Sequence, residues 1–405
     1  MKFVANLRSN LDVILLSLVL CVNCIRVVLG LGETTIALYG LYLLCFLTLY
    51  SNYEKSFTRL LRKDITIRAY FIVILLLIIY AAFSLLWITS SEVYSTYIKF
   101  LLSLMISVPT VVMPIDKIKR VISYVVIINV VYAVVLLIYP QLVDVAMGAG
   151  LNYLNATLPI GLALTITLVN SLNAISNKGG LLWSAIWIVT SAIFFASLMR
   201  FVARGVLLFP PLIAIFVFFS MKKTHKIVSW LFIPLFIGVL YFSYEYYMSN
   251  ASDYALSRMM KLMESSEDED RWSLWSKSLT EMIDKGWFIW GGGMEAFRYN
   301  SSIHFYPHNI FIQLIGEYGI LGIVASILTI WNVIIGFIRS KSRVGFIGES
   351  AVLYCLTGSY FYYTLTFCKS FSLYDGLPLF IIIGFCLSLY YNLRMNVNKA
   401  HHKVK

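Results

Sequence analysis

One histidine in this 405-residue sequence is placed where it could act as a general base. His308 lies in HFYPHNIFIQLIGEYG, residues 304–319, where polar sequence gives way to a long apolar run. Pro307 suits the first position of a helix, so we expect His308 and Asn309 in the first helical turn. The unperturbed pKa of histidine lets it accept a proton near neutral pH. A structural interpretation stays open, since a histidine at such a boundary can simply form a hydrogen bond.

Three arginines are candidates for binding phosphate. Arg200 and Arg204 lie four residues apart in SLMRFVARGVLLFPPL, which puts them on one face if that stretch is helical. Arg271 follows an acidic run in ESSEDEDRWSLW. Arginine binds phosphate oxygens in a planar, two-point manner that lysine cannot copy. The alternatives are snorkelling to lipid headgroups for the first pair and an ion pair with Asp268 or Asp270 for Arg271.

Further candidates for substrate contact surround this histidine. Gly291, Gly292 and Gly293, in GWFIWGGGMEAF, permit positive φ and a close approach of the backbone. Turns use glycine in the same way, so the triplet alone is weak evidence. His304 and Asn309 are also candidates because they lie near the proposed base.

The composition is that of an α-helical membrane protein. Hydrophobic residues make up 60% of the chain and charged residues 13%, whereas soluble domains average about 25% charged. The apolar runs are roughly twenty residues long, the length that a helix needs to cross about 30 Å of hydrocarbon. Alternating ten-residue strands, which would indicate a barrel, are missing from the sequence. We therefore predict an all-α, polytopic membrane bundle.

We expect about twelve membrane-spanning helices. They lie near residues 11–30, 33–50, 69–88, 97–113, 121–139, 152–172, 181–199, 203–220, 227–247, 308–338, 347–367 and 372–392. No small-residue cleavage site follows the first run, so we interpret it as a retained span rather than a signal peptide. This run contains Arg26, for which the sequence indicates no role.

The positive charges predict the orientation of these helices. Most of the 32 Lys and Arg fall in alternate connections, which we assign to the cytoplasm together with both termini. The organisation is then nine helices in residues 1–247, a periplasmic loop at 248–307, and three helices and a tail in 308–405. The net charge of +12 is explained by anionic membrane lipid, and we expect no nucleic acid as a partner.

The long loop contains the signature of an amphipathic helix. It holds nine acidic and six basic residues, and a loop of this length in a compact protein is usually functional or disordered. Trp272, Trp275, Leu279, Met282 and Ile283 recur at helical spacing. They predict one apolar face on a helix that lies at the outer membrane–water boundary.

Taken together, these features resemble the bacterial O-antigen polymerases and O-antigen ligases. The shared pattern is about a dozen spans, VARGVLLFP with Arg204, DEDRWSLW with Arg271, the cluster GGGMEAF, and His308 in PHNIFIQLIGEYGILG. The family often has Ser or Thr before the first arginine, where this chain has Ala203. Either Arg200 or Arg204 is therefore the equivalent residue, and the Pro-ended apolar run favours Arg204.

The resemblance implies a membrane glycosyltransferase of the bacterial inner membrane with its active site on the periplasmic side. Such enzymes transfer a glycan from undecaprenyl pyrophosphate to an acceptor sugar hydroxyl, without a metal or another cofactor. We expect Arg204 and Arg271 to bind the pyrophosphate, with Arg200 as a third candidate, and His308 to remove the hydroxyl proton, with inversion at the anomeric carbon. Asp268 and Asp270 form a D-x-D spacing that could hold a divalent ion, although acids before a helix also suit its dipole.

The partners and the exact reaction remain alternatives. A lipid-linked donor, a glycan acceptor and membrane lipid are expected, with chain-length regulators and flippases as candidate protein partners. A polymerase is favoured over a ligase because the stretch RYNSSIHFYP, between the glycine cluster and His308, is short and the neighbouring segments look like those of polymerases. A flippase is the more distant alternative, since it would usually have pseudo-repeated halves and mid-membrane charges.

Overall fold

A computed structural model describes most of the chain. The described residues are 10–30, 36–88, 90–139, 141–148, 153–176, 180–199, 201, 203–220, 238, 241, 245, 267–343 and 350–404. Within these ranges the regular structure is helical, and the chain forms no strand there.

The helices follow the apolar runs of the sequence. The first ten are α1 Leu11–Leu20, α2 Val22–Leu29, α3 Ile36–Lys63, α4 Ile65–Ser84, α5 Ser91–Thr110, α6 Ile115–Ile138, α7 Gln141–Gly148, α8 Tyr153–Ser176, α9 Gly180–Met199 and α10 Arg204–Ser220. The later ones are α11 Glu267–Asp284, α12 Trp287–Trp290, α13 Ala296–Tyr299, α14 Ile310–Tyr318, α15 Ile320–Arg343, α16 Ser350–Phe367, a 3-10 turn at Leu373–Asp375, and α17 Leu377–Val404.

Six of the described helices are long and apolar enough to cross a membrane: α4, α5, α6, α8, α9 and α15. The pair α1 and α2, bent by 65°, makes a seventh if it counts as one span, and α10 and α17 contain shorter apolar segments. The prediction of a multi-pass helical membrane protein is thus confirmed. The number twelve stays a prediction, and the expected span at 227–247 lies outside the described residues apart from three positions.

The chain divides into two compact units. The first comprises residues 1–41, 116–265 and 344–363. In it α8 packs against α9, α10 and α2, and is buried along most of its length. The hydroxyl of Tyr362 donates to the carbonyl of Leu158 at 2.9 Å, which ties α16 to α8.

The second unit comprises residues 42–115, 266–343 and 364–405. Here α17 packs against α5 and α15, and α15 also packs against α4. The short helix α14 is central to this unit: three helices of the loop region, α11, α12 and α13, all pack against it.

The predicted span at 308–338 is not one continuous helix. It breaks at Gly319, whose φ of 59° and ψ of −135° are outside the helical region, so α14 ends and α15 begins there. A Cβ at this position would lie 2.4 Å from the carbonyl oxygen of Ile289, so the break and the docked loop both require glycine. Across the break, Gly322 lies against the backbone of Leu314.

The predicted start of this helix is also wrong. Asn309 is the N-cap, and its side-chain oxygen accepts hydrogen bonds from the amides of Phe311 at 3.0 Å and Ile312 at 3.2 Å. Asparagine is a strong cap because this contact satisfies amides that have no partner within the helix. His308 therefore precedes the helix, with a φ of 51°, and Pro307 is not its first residue.

Close packing of α17 on α5 makes Gly384 a sensitive position. A Cβ there would lie 1.9 Å from Oγ1 of Thr110 and 2.9 Å from the carbonyl of Ser107. We expect Gly384→Ala to lower the thermal unfolding midpoint of the detergent-solubilised protein, with an overpacking cost of about 1–3 kcal/mol. Gly40→Ala is the matched control, because a Cβ there meets nothing within 4 Å. Equal midpoints for the two variants would contradict the packing described here.

Candidate functional site

The helix predicted in the loop is present as α11, an 18-residue helix from Glu267 to Asp284. Its apolar positions form two stripes rather than one face. Met282 is fully buried and Trp275 half-buried, whereas Trp272 and Ile283 are 69% and 67% exposed. One stripe therefore packs against the protein, and the other is an exposed apolar surface.

The protein-facing stripe brings Arg271 to a specific place. Its Nη1 donates a 2.7 Å hydrogen bond to the carbonyl of Lys369, which lies just after α16. One turn further on, Nε1 of Trp275 donates to the carbonyl of Pro307 at 2.9 Å. Thus α11 is tied both to the segment after α16 and to the residue that precedes His308.

His308 is close enough to Arg271 to feel its charge, and its ring is half-buried. The rings of Phe305 and Tyr306 pack on it, with centroids 5.0 and 4.4 Å away, and the carbonyl of Ser370 faces it. Burial and the Arg271 charge lower the pKa of His308 to about 4, and the Ser370 carbonyl opposes this shift. The imidazole is therefore neutral at physiological pH, whereas the unperturbed pKa of 6.5 would leave a minor fraction of it protonated.

One nitrogen of this imidazole is unsatisfied. Nδ1 of His308 is buried and has no hydrogen-bond partner among the described residues. The backbone is strained as well, since a positive φ is uncommon for residues other than glycine. In the described chain such residues are Glu295, His304 and His308, all in one stretch of fourteen residues. His304 is exposed, and the side chain of Asn309 is engaged as the helix cap.

The glycine cluster approaches the protein's own backbone. The amide of Gly292 donates to the carbonyl of Gly316 at 2.8 Å, and that of Gly293 to the carbonyl of Glu317 at 3.0 Å. Gly291 and Gly293 have φ of 76° and 94°. The close approach expected at these glycines is therefore observed against α14.

The end of α4 fixes the same cluster from the other side. Tyr80 donates from its hydroxyl to the carbonyl of Trp290 at 2.7 Å, and Nε1 of Trp87 donates to the carbonyl of Gly292 at 3.2 Å. The hydroxyl of Ser84 accepts from the amide of Met294 at 3.1 Å. The loop region after α12 is thus bound to two helices through its backbone.

A buried polar cluster on α14 was missed by sequence reasoning. Nε2 of Gln313 donates to the Glu317 carboxylate at 3.1 Å, and its Oε1 accepts from the amide of Leu373 at 2.7 Å. The hydroxyl of Tyr374 also donates to Glu317. Gln313 and Glu317 are both fully buried. Their spacing of four residues within an apolar helix is the signal that could have identified them.

Glu295 is a second buried acid in this unit, with only 7% exposure. Burial raises the pKa of its carboxyl to about 7, with a smaller upward effect from Asp375 and Glu92. The charges of Arg298 and Lys99 act in the opposite direction. Sequence reasoning did not single out this residue.

The remaining predicted residues are only partly described. Arg204 is the first residue of α10 in the first unit, but its side chain and the whole of Arg200 lie outside the described part. Asp268 and Asp270 are in the first turn of α11, also without described side chains. Among the described residues, no group of three or more His, Cys, Asp or Glu is arranged to hold a metal ion.

The fold is that of a multi-pass helical membrane protein. In its candidate site, a histidine and an arginine lie near each other in the loop region that packs on α14, where the helix is interrupted. Residues 188–327 match the family model described as O-antigen ligase. This match spans Arg204, Arg271 and His308, and it supports the resemblance to the O-antigen ligases and polymerases. The general activity is therefore that of a membrane glycosyltransferase-like enzyme. No curated protein matches the chain.

The raised pKa of Glu295 predicts a pH dependence of stability. Its carboxyl binds a proton more tightly in the folded chain than at its ordinary value of 4.5, so folding stability falls as pH rises from about 4.5 to about 7. The shift corresponds to at most about 3 kcal/mol. Glu295→Gln should flatten the dependence of the unfolding midpoint on pH in this window and stabilise the protein at pH 8.

Glu281→Gln provides the matched control. Hydrogen bonds from Ser302 lower the pKa of Glu281, so this group is ionised in both the folded and unfolded chain above pH 5. The control variant should therefore keep the slope of the parent between pH 5 and pH 7. If Glu295→Gln keeps that slope as well, burial does not raise the pKa of Glu295.

Proposed function

We propose that the protein is a polymerase that joins lipid-linked glycans. It transfers a glycan from undecaprenyl pyrophosphate to a sugar hydroxyl of another lipid-linked repeat unit, on the periplasmic side of the inner membrane. The observation that carries this proposal is the proximity of Arg271 to a neutral, partly buried His308 within a segment matched to the O-antigen ligase family. These are the two groups that the transfer needs, one for the leaving pyrophosphate and one for the attacking hydroxyl.

Arg271 acts on the leaving group. Its described hydrogen bond to Lys369 uses one of the five N–H donors of a guanidinium, so further donors can bind phosphoryl oxygens. As the bond between the anomeric carbon and the phosphate oxygen breaks, negative charge grows on the pyrophosphate, and a fixed cation stabilises it. From the sequence, Arg204 is assigned a second contact to the same group, with Arg200 as the alternative.

His308 acts on the acceptor. A neutral imidazole with an unsatisfied Nδ1 can accept the proton of a sugar hydroxyl while its oxygen attacks the anomeric carbon. The attack is opposite the leaving pyrophosphate, so the configuration inverts. The proton passes to His308 and can leave with the released lipid pyrophosphate or with solvent.

The charge of Arg271 also makes the pKa of His308 depend on whether the donor is bound. Without substrate, Arg271 helps to lower the pKa of His308. A pyrophosphate bound to Arg271 would neutralise that charge, which raises the pKa of His308 and strengthens it as a base. The hydroxyl is then activated when the donor is in place.

A polymerase is preferred to a ligase on sequence features alone, namely the short stretch between the glycine cluster and His308 and the likeness of the flanking segments to those of polymerases. The ligase alternative uses the same two groups and differs in its acceptor, lipid A-core. The flippase alternative has no use for a base beside a phosphate-binding arginine.

His308→Ala should abolish long glycan chains in cells that lack the native gene. Loss of the base should lower the transfer rate by about 10²–10⁴-fold, which leaves no visible ladder. The measurement is a gel of surface glycans, with the amount of membrane protein determined by immunoblotting. His401→Ala, a histidine in the terminal segment, is the control and should give normal ladders. A normal ladder from His308→Ala would remove this residue from the mechanism.

Deletion of the gene separates the two transfer reactions. If the enzyme is a polymerase, the deletion strain should still cap lipid A-core with a single repeat unit. A strain that caps no core and accumulates lipid-linked polymer would instead identify a ligase. The readout is the length distribution of core-linked glycan together with the pool of lipid-linked glycan.

A further inference from the structure

A short segment after α16 provides the backbone groups that hold the two candidate reactive side chains. In residues 368–376, which we name the anchor segment, the carbonyl of Lys369 accepts the hydrogen bond of Arg271. The carbonyl of the next residue, Ser370, faces the imidazole of His308. Two adjacent carbonyls of one segment thus set the positions of both groups.

The anchor segment is in turn held by α14. Its next residues meet Gln313, which donates to the hydroxyl of Ser372 at 3.2 Å and accepts from the amide of Leu373 at 2.7 Å. Glu317, one turn further along α14, accepts from the hydroxyl of Tyr374 and from Gln313 itself.

These contacts are costly to leave incomplete. Gln313 and Glu317 are fully buried, and Ser372 and Tyr374 are buried as well. A buried polar group that is left without a hydrogen-bond partner costs about 1–3 kcal/mol of folding stability. The anchor segment therefore has one strongly preferred placement on α14, and its two carbonyls have one as well.

We propose that Gln313 and Glu317 are positioning residues that hold the anchor segment, and through it set the distance between Arg271 and His308. Their contribution to catalysis rests on the proposed function, whereas their contribution to the His308 environment does not. Neither residue needs to touch substrate. Loss of either should loosen the segment and let His308 separate from Arg271 and from its buried surroundings.

This proposal predicts a change in the proton affinity of His308. The charged group described facing this imidazole is Arg271 on α11, with Tyr306 as the titratable neighbour and the Ser370 carbonyl from the anchor segment. Both causes that lower the pKa of His308 weaken if the segment loosens. The pKa then returns upward from about 4 towards the ordinary 6.5.

The experiment measures His308 directly in the purified full chain. Diethyl pyrocarbonate modifies neutral imidazole, and mass spectrometry of the peptide that contains His308 gives its labelling rate at pH 5 and at pH 7. In the parent protein the two rates should be nearly equal after correction for reagent hydrolysis, because an imidazole with a pKa of about 4 is neutral at both pH values. In Gln313→Ala, with a pKa near 6, labelling should fall about tenfold from pH 7 to pH 5.

Two further variants make the result decisive. Tyr374→Phe removes only a hydroxyl, and should shift the ratio of the labelling rates at pH 5 and pH 7 in the same direction by a smaller amount. This variant tests the proposal if Gln313→Ala does not fold. Ser388→Ala is the control, because it removes a buried hydrogen bond of the same unit, to the carbonyl of Met113, away from the anchor segment. It should keep the parent ratio. Parent-like ratios in Tyr374→Phe and in any folded Gln313→Ala protein would overturn the proposal.

Glycan transfer by the same proteins separates the two proposals. If both hold, Gln313→Ala should slow transfer at least tenfold, and the pH below which its activity declines should rise to about 6. If His308→Ala keeps its activity, the proposed function fails, while the labelling ratios still decide whether α14 positions His308. If labelling shifts and the pH dependence of transfer does not, His308 is positioned by α14 but is not the base.

Discussion

The second unit depends on how the carbonyl groups at the end of α14 are satisfied. The last carbonyls of any helix lack partners within it, and in an apolar setting they cannot remain unpaired. The break at Gly319 exposes such carbonyls at Gly316 and Glu317, and the amides of Gly292 and Gly293 satisfy them. A membrane helix is thus interrupted, and the loop region is joined to it by backbone hydrogen bonds that only glycines can approach closely enough to make.

This junction explains why strained residues persist nearby. A non-glycine residue with positive φ costs on the order of 1–3 kcal/mol and survives where its surroundings determine it. Glu295 closely follows the glycine junction, and His308 directly precedes the cap of α14. Each of these strained residues is therefore beside a point at which the chain is held. Hydrogen bonds hold both ends of the stretch between these points, and the rings of Phe305 and Tyr306 pack on the His308 side chain near the second end.

Much of this region could be predicted from the sequence, and the exceptions have physical causes. The helix α11 follows from its periodic apolar residues, and the grouping of Arg271 with His308 was expected from the family motifs. The break at Gly319 was not expected, because its cause is the loop that docks on it, and the sequence is mainly apolar on both sides. The pairing of Gln313 with residues 372–374 was missed because it joins segments sixty residues apart. Local patterns carry no information about such partners.

The low pKa of His308 at first argues against a base, since a weaker base removes a hydroxyl proton less readily. In the proposed function, however, the same arginine binds the pyrophosphate of the donor. A pyrophosphate on Arg271 would remove one of the two causes of the shift. A donor that must be bound before the base gains strength limits the reaction to occupied enzyme. The proximity of the two residues therefore matters more than the basicity of either alone, and that proximity depends on the backbone carbonyls of residues 369 and 370.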